Sequence, residues 1–152
     1  MAITFNALIP ELYVTNLRDS LTFYVDYLGF EIAYERPEEG FAFLTLGDAQ
    51  LMLEQTASVQ PSTTAEIERG EWRTGTLEYP LGRGLNLQLA VASIDDAVGR
   101  LRAANYPLML EPQEKWHRVG DRLVGSRRFL VVDPDGYLLR LEEPLGEKPA
   151  GA

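Results

Sequence analysis

Two tryptophans set among carboxylates are the residues of this 152-residue chain whose types and spacing best suit the capture of a small molecule. Trp72 stands in Gly-Glu-Trp-Arg-Thr-Gly-Thr-Leu-Glu-Tyr-Pro, with Glu71 before it and Glu78 and Tyr79 after it; Trp116 stands in Glu-Lys-Trp-His-Arg, approached by Glu111 and Glu114. An aromatic ring stacked on a planar ligand contributes about 0.5–1.5 kcal/mol beyond area burial, and a cation over its face about as much again. Neighbouring carboxylates would attract such a cation. Residues suited to covalent chemistry are scarce. With no cysteine there is no thiol nucleophile and no thiolate metal site. The single histidine, His117, lies beside a tryptophan, where packing is its ordinary role, and no serine has a histidine and an aspartate arranged around it. Gly82-Arg83-Gly84 lacks the Gly-Lys-Thr triad and the strand-loop-helix setting of a phosphate loop. Trp72, Glu78, Tyr79 and Trp116 are therefore candidate ligand-binding residues, and no residue is assigned a catalytic role. The same tryptophans fit core or interface packing, and the same carboxylates a solvated face. Arg118, Arg122, Arg127 and Arg128 suit an anionic ligand or surface ion pairs.

Composition narrows the partners. The chain has 23 acidic against 14 basic side chains, a formal net charge of −9, which disfavours nucleic acid because binding there rests on Lys and Arg neutralising phosphates. The same charge favours a cationic small molecule, over about 8 Å at physiological salt. No apolar run approaches the roughly 18 residues of a membrane span, and the first residues show no basic segment followed by a long apolar stretch, so no membrane partner and a cytoplasmic location are expected.

The elements that must position these residues are written twice. Leu12 to Phe30 and Leu89 to Pro107 share a grammar in which Val14 matches Val91, Leu17 matches Ile94 and Tyr24 matches Leu101 at one constant offset. Alternation over Glu11 to Val14 predicts a strand; Asn16 then reads as an N-cap, and Leu17, Leu21, Tyr24 and Leu28 fall at helical spacing up to Gly29. Strands follow at 31–36, 41–46 and 50–54, around the turn Pro-Glu-Glu-Gly. The second copy repeats the order: a strand over 87–91, Ser93 as cap, a helix over 94–104, a strand over 108–111, another within 115–118 or further on, a strand over 128–132, the turn Asp-Pro-Asp-Gly at 133–136, and a last strand over 137–142. The fold class is thus α+β, with two βαβββ modules forming curved mixed sheets in a single domain. The modules cover about 1–55 and 86–145, face each other across a shared cavity, and are joined by a long connector over 56–85 with a short helix near 65–69. The Gly- and Pro-rich end from 146 on is expected to fray.

Ser-Leu-Thr-Phe-Tyr-Val-Asp-Tyr-Leu-Gly-Phe at 20–30, Phe-Ala-Phe-Leu-Thr-Leu-Gly at 41–47, Gln-Leu-Met-Leu-Glu at 50–54 and Phe-Leu-Val-Val-Asp-Pro-Asp-Gly-Tyr-Leu-Leu-Arg at 129–140 resemble the vicinal oxygen chelate superfamily, and within it the bleomycin resistance proteins. The superfamily's enzymes bind a divalent metal through His, Gln or Glu at equivalent strand positions. Here those positions hold Ile9, Met52, Asn86 and Arg140, a set without carboxylate or imidazole, so neither metal nor other cofactor is implied. A register shifted by one or two residues would bring in Glu11, Glu54, Gln88 or Glu142 and leave open a metal-dependent glyoxalase-like lyase or extradiol-type dioxygenase. The resistance-protein branch implies instead noncatalytic sequestration of a bleomycin-type cationic glycopeptide, or a similar planar molecule, in grooves between the subunits of a homodimer. Phe41 matches a groove aromatic of that branch, and Pro10 matches a strand proline that implies an N-terminal arm exchanged between subunits.

Overall fold

The computed structural model describes residues 2–151 and confirms the α+β fold. The first module runs β1 (Glu11–Val14), α1 (Leu17–Leu21) continuing as a π-helical stretch (Thr22–Tyr27), β2 (Glu31–Arg36), a 3-10 turn (Pro37–Glu39), β3 (Phe41–Leu46) and β4 (Ala49–Gln55). The connector carries α2 (Thr64–Glu68). The second module runs β5 (Asn86–Ala90), α3 (Asp95–Ala103), β6 (Leu110–Val119), β7 (Arg122–Val132) and β8 (Leu138–Pro149). Each module is one four-stranded mixed sheet, ordered β1-β4-β3-β2 and β5-β8-β7-β6, with the first strand parallel to the last and the other pairs antiparallel.

Local sequence explains the boundaries. The Asn16 side chain accepts the Asp19 N–H at 3.1 Å and caps α1. Leu28 N–H donates to the Phe23 carbonyl five residues back, and Gly29 then turns the chain at φ +91°. Thr63 and Glu66 form a reciprocal capping box on α2. Behind it the buried Arg73 donates from Nε to the Gln60 carbonyl at 2.7 Å and pairs with Glu66, so the connector is an ordered loop built around one guanidinium.

The modules meet through packed side chains, not across the shared cavity expected between them. Strand alternation sends Leu12, Val14, Ala42, Leu44, Leu51 and Leu53 from the first sheet, and Leu89, Phe129, Val131, Leu139 and Leu141 from the second, into one core that also takes Phe23, Tyr24, Ile94 and Leu101 from the helices. Polar ties cross the same boundary. Tyr24 Oη donates to Asp133 at 2.7 Å, Thr15 Oγ1 to Asp135 at 2.5 Å, and Tyr137 Oη to the Tyr13 carbonyl at 2.9 Å. The Asp-Pro-Asp-Gly turn therefore docks the second module on the first as well as reversing the chain.

The end of the chain also differs from expectation. Instead of fraying, β8 pairs with β7 as far as Pro149 opposite Arg122, and β6 is one strand where two segments were expected. The tip is held by side chains: Arg122 pairs with Glu147 at 3.0 Å, and the Lys148 ammonium lies 4.0 Å from the centroid of the Trp116 ring. Trp116 packs over Gly125, where an added Cβ would lie 2.6 Å from ring atoms. Gly125→Ala is expected to expel the indole and cost about 1–3 kcal/mol. Urea unfolding with a red shift of Trp116 emission, read in a Trp72→Phe background, checks it; unchanged emission and stability would contradict it.

Candidate functional site

The same alternation that fills the core builds a second surface on the far side of the first sheet. Register places Tyr13, Glu54, Phe41 and Arg36 in one row across the four strands, and Glu11, Met52, Phe43 and Tyr34 in the next. Phe41 and Phe43 lie on this outer face yet are only 4% and 1% exposed, because other rings and a cation cover them. Tyr34 stacks on Phe43 with centroids 5.1 Å apart and planes 13° apart, Phe5 of the N-terminal arm meets Phe43 edge-on at 5.5 Å, and the Arg36 guanidinium sits 4.1 Å over Phe41. The ring of Phe41 thus already serves as a cation seat. Arg36 is also paired with Glu39 at 2.6 Å on the exposed rim.

Two carboxylates sit among these rings. Burial pushes the Glu11 carboxyl up from the usual range, against the pull of Arg36. Burial also raises Glu54, reinforced by the charges of Glu11, Glu39 and Glu71. Tyr13 between them is raised by burial, and its hydroxyl accepts the Trp72 N–H at 2.7 Å, which brings the connector to the edge of the face. A partly desolvated pair of like charges beside aromatic plates is poised to take a cation.

The outer face of the second sheet has the opposite character. Gln88 and Arg140 lie side by side, with Glu142 and Arg128 paired in the next register. Glu142 accepts from Gln88 at 3.1 Å and lies 3.4 Å from Arg140 and 3.7 Å from Arg128.

Sequence reading assigned five ligand residues, and the structure distributes them. Phe41 and Trp72 belong to the first face, Phe41 in its floor and Trp72 exposed at its edge, with Nε1 donating to the Ile67 carbonyl at 3.0 Å. Glu78 and Tyr79 lie together elsewhere. Glu78 lines a cleft with Pro80, Arg83 and Tyr137, and the exposed Tyr79 separates two clefts at the end of the second sheet. Trp116 is on the β6–β7 hairpin, under Lys148 of β8. Pro10 precedes β1, and its carbonyl accepts the Met52 N–H at 2.9 Å. The arm before it clips to its own β3–β4 hairpin through Asn6 and Gln50. As site residues, Glu11 and Glu54 were expected only as metal donors of a shifted register, and Tyr13, Tyr34, Arg36 and Phe43 had no expected site role. Their i, i+2 spacing on successive strands was the available signal.

Metal donors of the shifted register fall into two pairs on different sheets, Glu11 with Glu54 and Gln88 with Glu142. A divalent ion needs three or four converging donors, and among the described residues no group of three His, Cys, Asp or Glu that could hold one gathers. One chain's residues therefore do not fit a catalytic metal.

A family model described as the Glyoxalase/Bleomycin resistance protein/Dioxygenase superfamily matches residues 5–141. The chain belongs to this superfamily. A solved superfamily member from Vibrio splendidus 12B01 is 34% identical, with 89% of this chain and 95% of that chain covered and a TM-score of 0.38. The bleomycin resistance determinant encoded on transposon Tn5 is 20% identical over 91% of this chain and 98% of its own, with a TM-score of 0.55. A lactoylglutathione lyase from Agrobacterium tumefaciens is 23% identical over 90% and 92%, also at 0.55. Both of these share the superfamily fold with this chain. No curated protein matches the chain. Among the described residues, no helix is long and apolar enough to cross a membrane.

Proposed function

We propose that this superfamily member binds and sequesters a bleomycin-type cationic glycopeptide, or a similar planar cationic molecule, without catalysis, and so confers antibiotic resistance. The observation that carries the reading is the pairing of Glu11 and Glu54, both raised by burial, with the aromatic rows of the first sheet's outer face. A ligand cation takes over the seat that Arg36 occupies on Phe41, while Arg36 retains Glu39. Planar parts of the ligand stack on Tyr34 and on Trp72 at the edge. In a homodimer, Tyr79 and Trp116 of one copy are available to a groove that the acidic first face of the other borders. Pro10 is the point at which an exchanged arm would swing.

The sign of the pH dependence follows from the raised carboxyls. Attraction for a cation requires their ionised form, so affinity is lost as pH falls through their raised values, above the pH at which ordinary carboxylates protonate. Isothermal titration with metal-free bleomycin from pH 4.5 to 7.5 is expected to show this loss, and affinity should also weaken with salt. Binding indifferent to both pH and salt would contradict an acidic site.

The second reading, a metal-dependent lyase or dioxygenase, draws on the adjacency of Glu11 and Glu54, with Gln88 supplied by another copy. A stoichiometric divalent metal retained through dialysis would favour it.

A further inference from the structure

Arg128 and Arg140 share a single carboxylate, although each guanidinium has five N–H donors in a rigid fork. Glu142 already gives one oxygen to Gln88, and the other lies at the long distances of 3.4 Å and 3.7 Å from the two arginines. The Nε atoms of both arginines are shielded from solvent and find no acceptor among the described residues. Buried donors are nearly always satisfied, because leaving one without an acceptor forfeits its hydration. These two cations, with side chains only 22% and 30% exposed, thus form a net positive, donor-rich cluster in a chain of net charge −9.

An apolar cleft opens beside it. Leu138 precedes Arg140 by two residues on β8, and Val132 follows Arg128 on β7 with Leu130 between them on the same outer face. Two residues of strand span about 7 Å, so Arg140 lies next to the cleft, and Arg128, four residues from Val132 and about 13 Å along β7, lies beyond it with its guanidinium converging on the same Glu142 oxygen. Leu138 and Val132 floor a cleft of about 310 Å³ walled by Tyr79, Leu85 and Met109, all three exposed. That volume is at the lower end of those that hold small organic ligands. Arg83 at its rim donates to the carbonyls of Tyr79 at 2.9 Å and Pro80 at 3.2 Å and is already engaged.

We infer that the outer face of the second sheet is a binding site for a small organic anion, its carboxylate or phosphoryl head held by Arg128 and Arg140 and its flat apolar body lying against Leu138, Val132 and Tyr79. Gln88 and Glu142 hold the two forks in place. The site requires neither the first face nor its carboxylates, so it stands independently of the cationic-ligand reading.

The test uses 2-naphthoate as probe, with neutral 2-naphthamide and cationic 2-naphthylmethylamine as charge controls, titrated into the full chain by calorimetry. The expected result is saturable binding of naphthoate at one per chain, competition by inorganic phosphate, and at least tenfold weaker binding of both controls. Arg140→Gln and Arg128→Gln should each weaken naphthoate at least tenfold, Arg140→Lys by less, and Glu54→Gln not at all. Leu138→Gln, which leaves the arginines in place, should weaken naphthoate while sparing phosphate; it keeps the test open should an arginine variant fail to fold. No saturable naphthoate binding, equal affinity for the amine, or unchanged affinity in the arginine variants would overturn the inference. So would arginine variants that shift the oligomeric state alone, since the forks would then hold carboxylates of a second copy. None of these failures touches the bleomycin titration, which reads a different face with a different probe.

Discussion

Replacing Gly136 by alanine is expected to destabilise the chain by about 2–5 kcal/mol, from about 1–2 for the left-handed backbone and about 1–3 for overpacking. Gly136 sits at φ +96°, and an added Cβ would lie 2.4 Å from Pro80 Cα, 2.5 Å from Pro80 Cβ and 2.9 Å from the Leu81 nitrogen. No flexible side chain end is available to move aside. The collision falls where the connector meets the inter-module turn, since Leu81 N–H donates to the Asp135 carbonyl at 2.9 Å and Asp135 holds Thr15 of the first module. Gly70→Ala is the control: it has the same φ of +96° with nothing within 4 Å of the new Cβ, so only the backbone part, about 1–2 kcal/mol, remains. Urea denaturation of the two variants separates the contributions. Equal losses would show that the turn does not dock against the connector.

Exchanging both face carboxylates, Glu11→Gln with Glu54→Gln, is expected to weaken binding of metal-free bleomycin by about ten- to a hundredfold, or about 1.4–2.8 kcal/mol. Stability should move the other way or not at all. A carboxyl whose folded value is raised contributes stability that is present below its unfolded value, about 4.3 for Glu, and is lost as pH rises through the folded value. Glu11 and Glu54 are both raised, chiefly by burial, so at pH 7 their ionised forms are held against the preference of the fold. Neutral isosteres relieve that opposition. Urea denaturation at pH 7 should find the double variant at least as stable as the original chain, and at pH 4, below the raised values of both carboxyls, where they are largely protonated, the difference should shrink. A variant that binds normally and unfolds more easily would make these carboxylates structural.

Much of the fold was legible because its signals are local. Asn16, Gly29 and Thr63 act within a few residues of themselves, and the alternation of β3 and β4 is visible without knowing what they pair with. The end of β8 was not legible, since Pro144 and Gly146 look like breakers and only pairing with β7, with a shift near Gly125, makes that stretch a strand. Phe41 could be singled out by resemblance, whereas its cover by Arg36 depends on the register of β2 against β3, which shifts between Ile32 and Tyr34. Trp72 and Trp116 drew notice as isolated aromatics, but the floor of the first face comes from rings and carboxylates two residues apart on neighbouring strands. Such rows exist only after the sheet has formed. The relation between the modules had the same limit: a repeat predicts two similar units without saying which faces meet, and here the helix-covered faces form the core.

Capture of a cationic aromatic ligand without metal chemistry is tested most directly by a tryptophan fluorescence titration with metal-free and copper-loaded bleomycin, on protein whose metal content has been determined. Saturable quenching of metal-free protein at one ligand per chain, weakened by salt, is the predicted result. No quenching at roughly millimolar ligand, with a stoichiometric divalent metal in the protein, would contradict it.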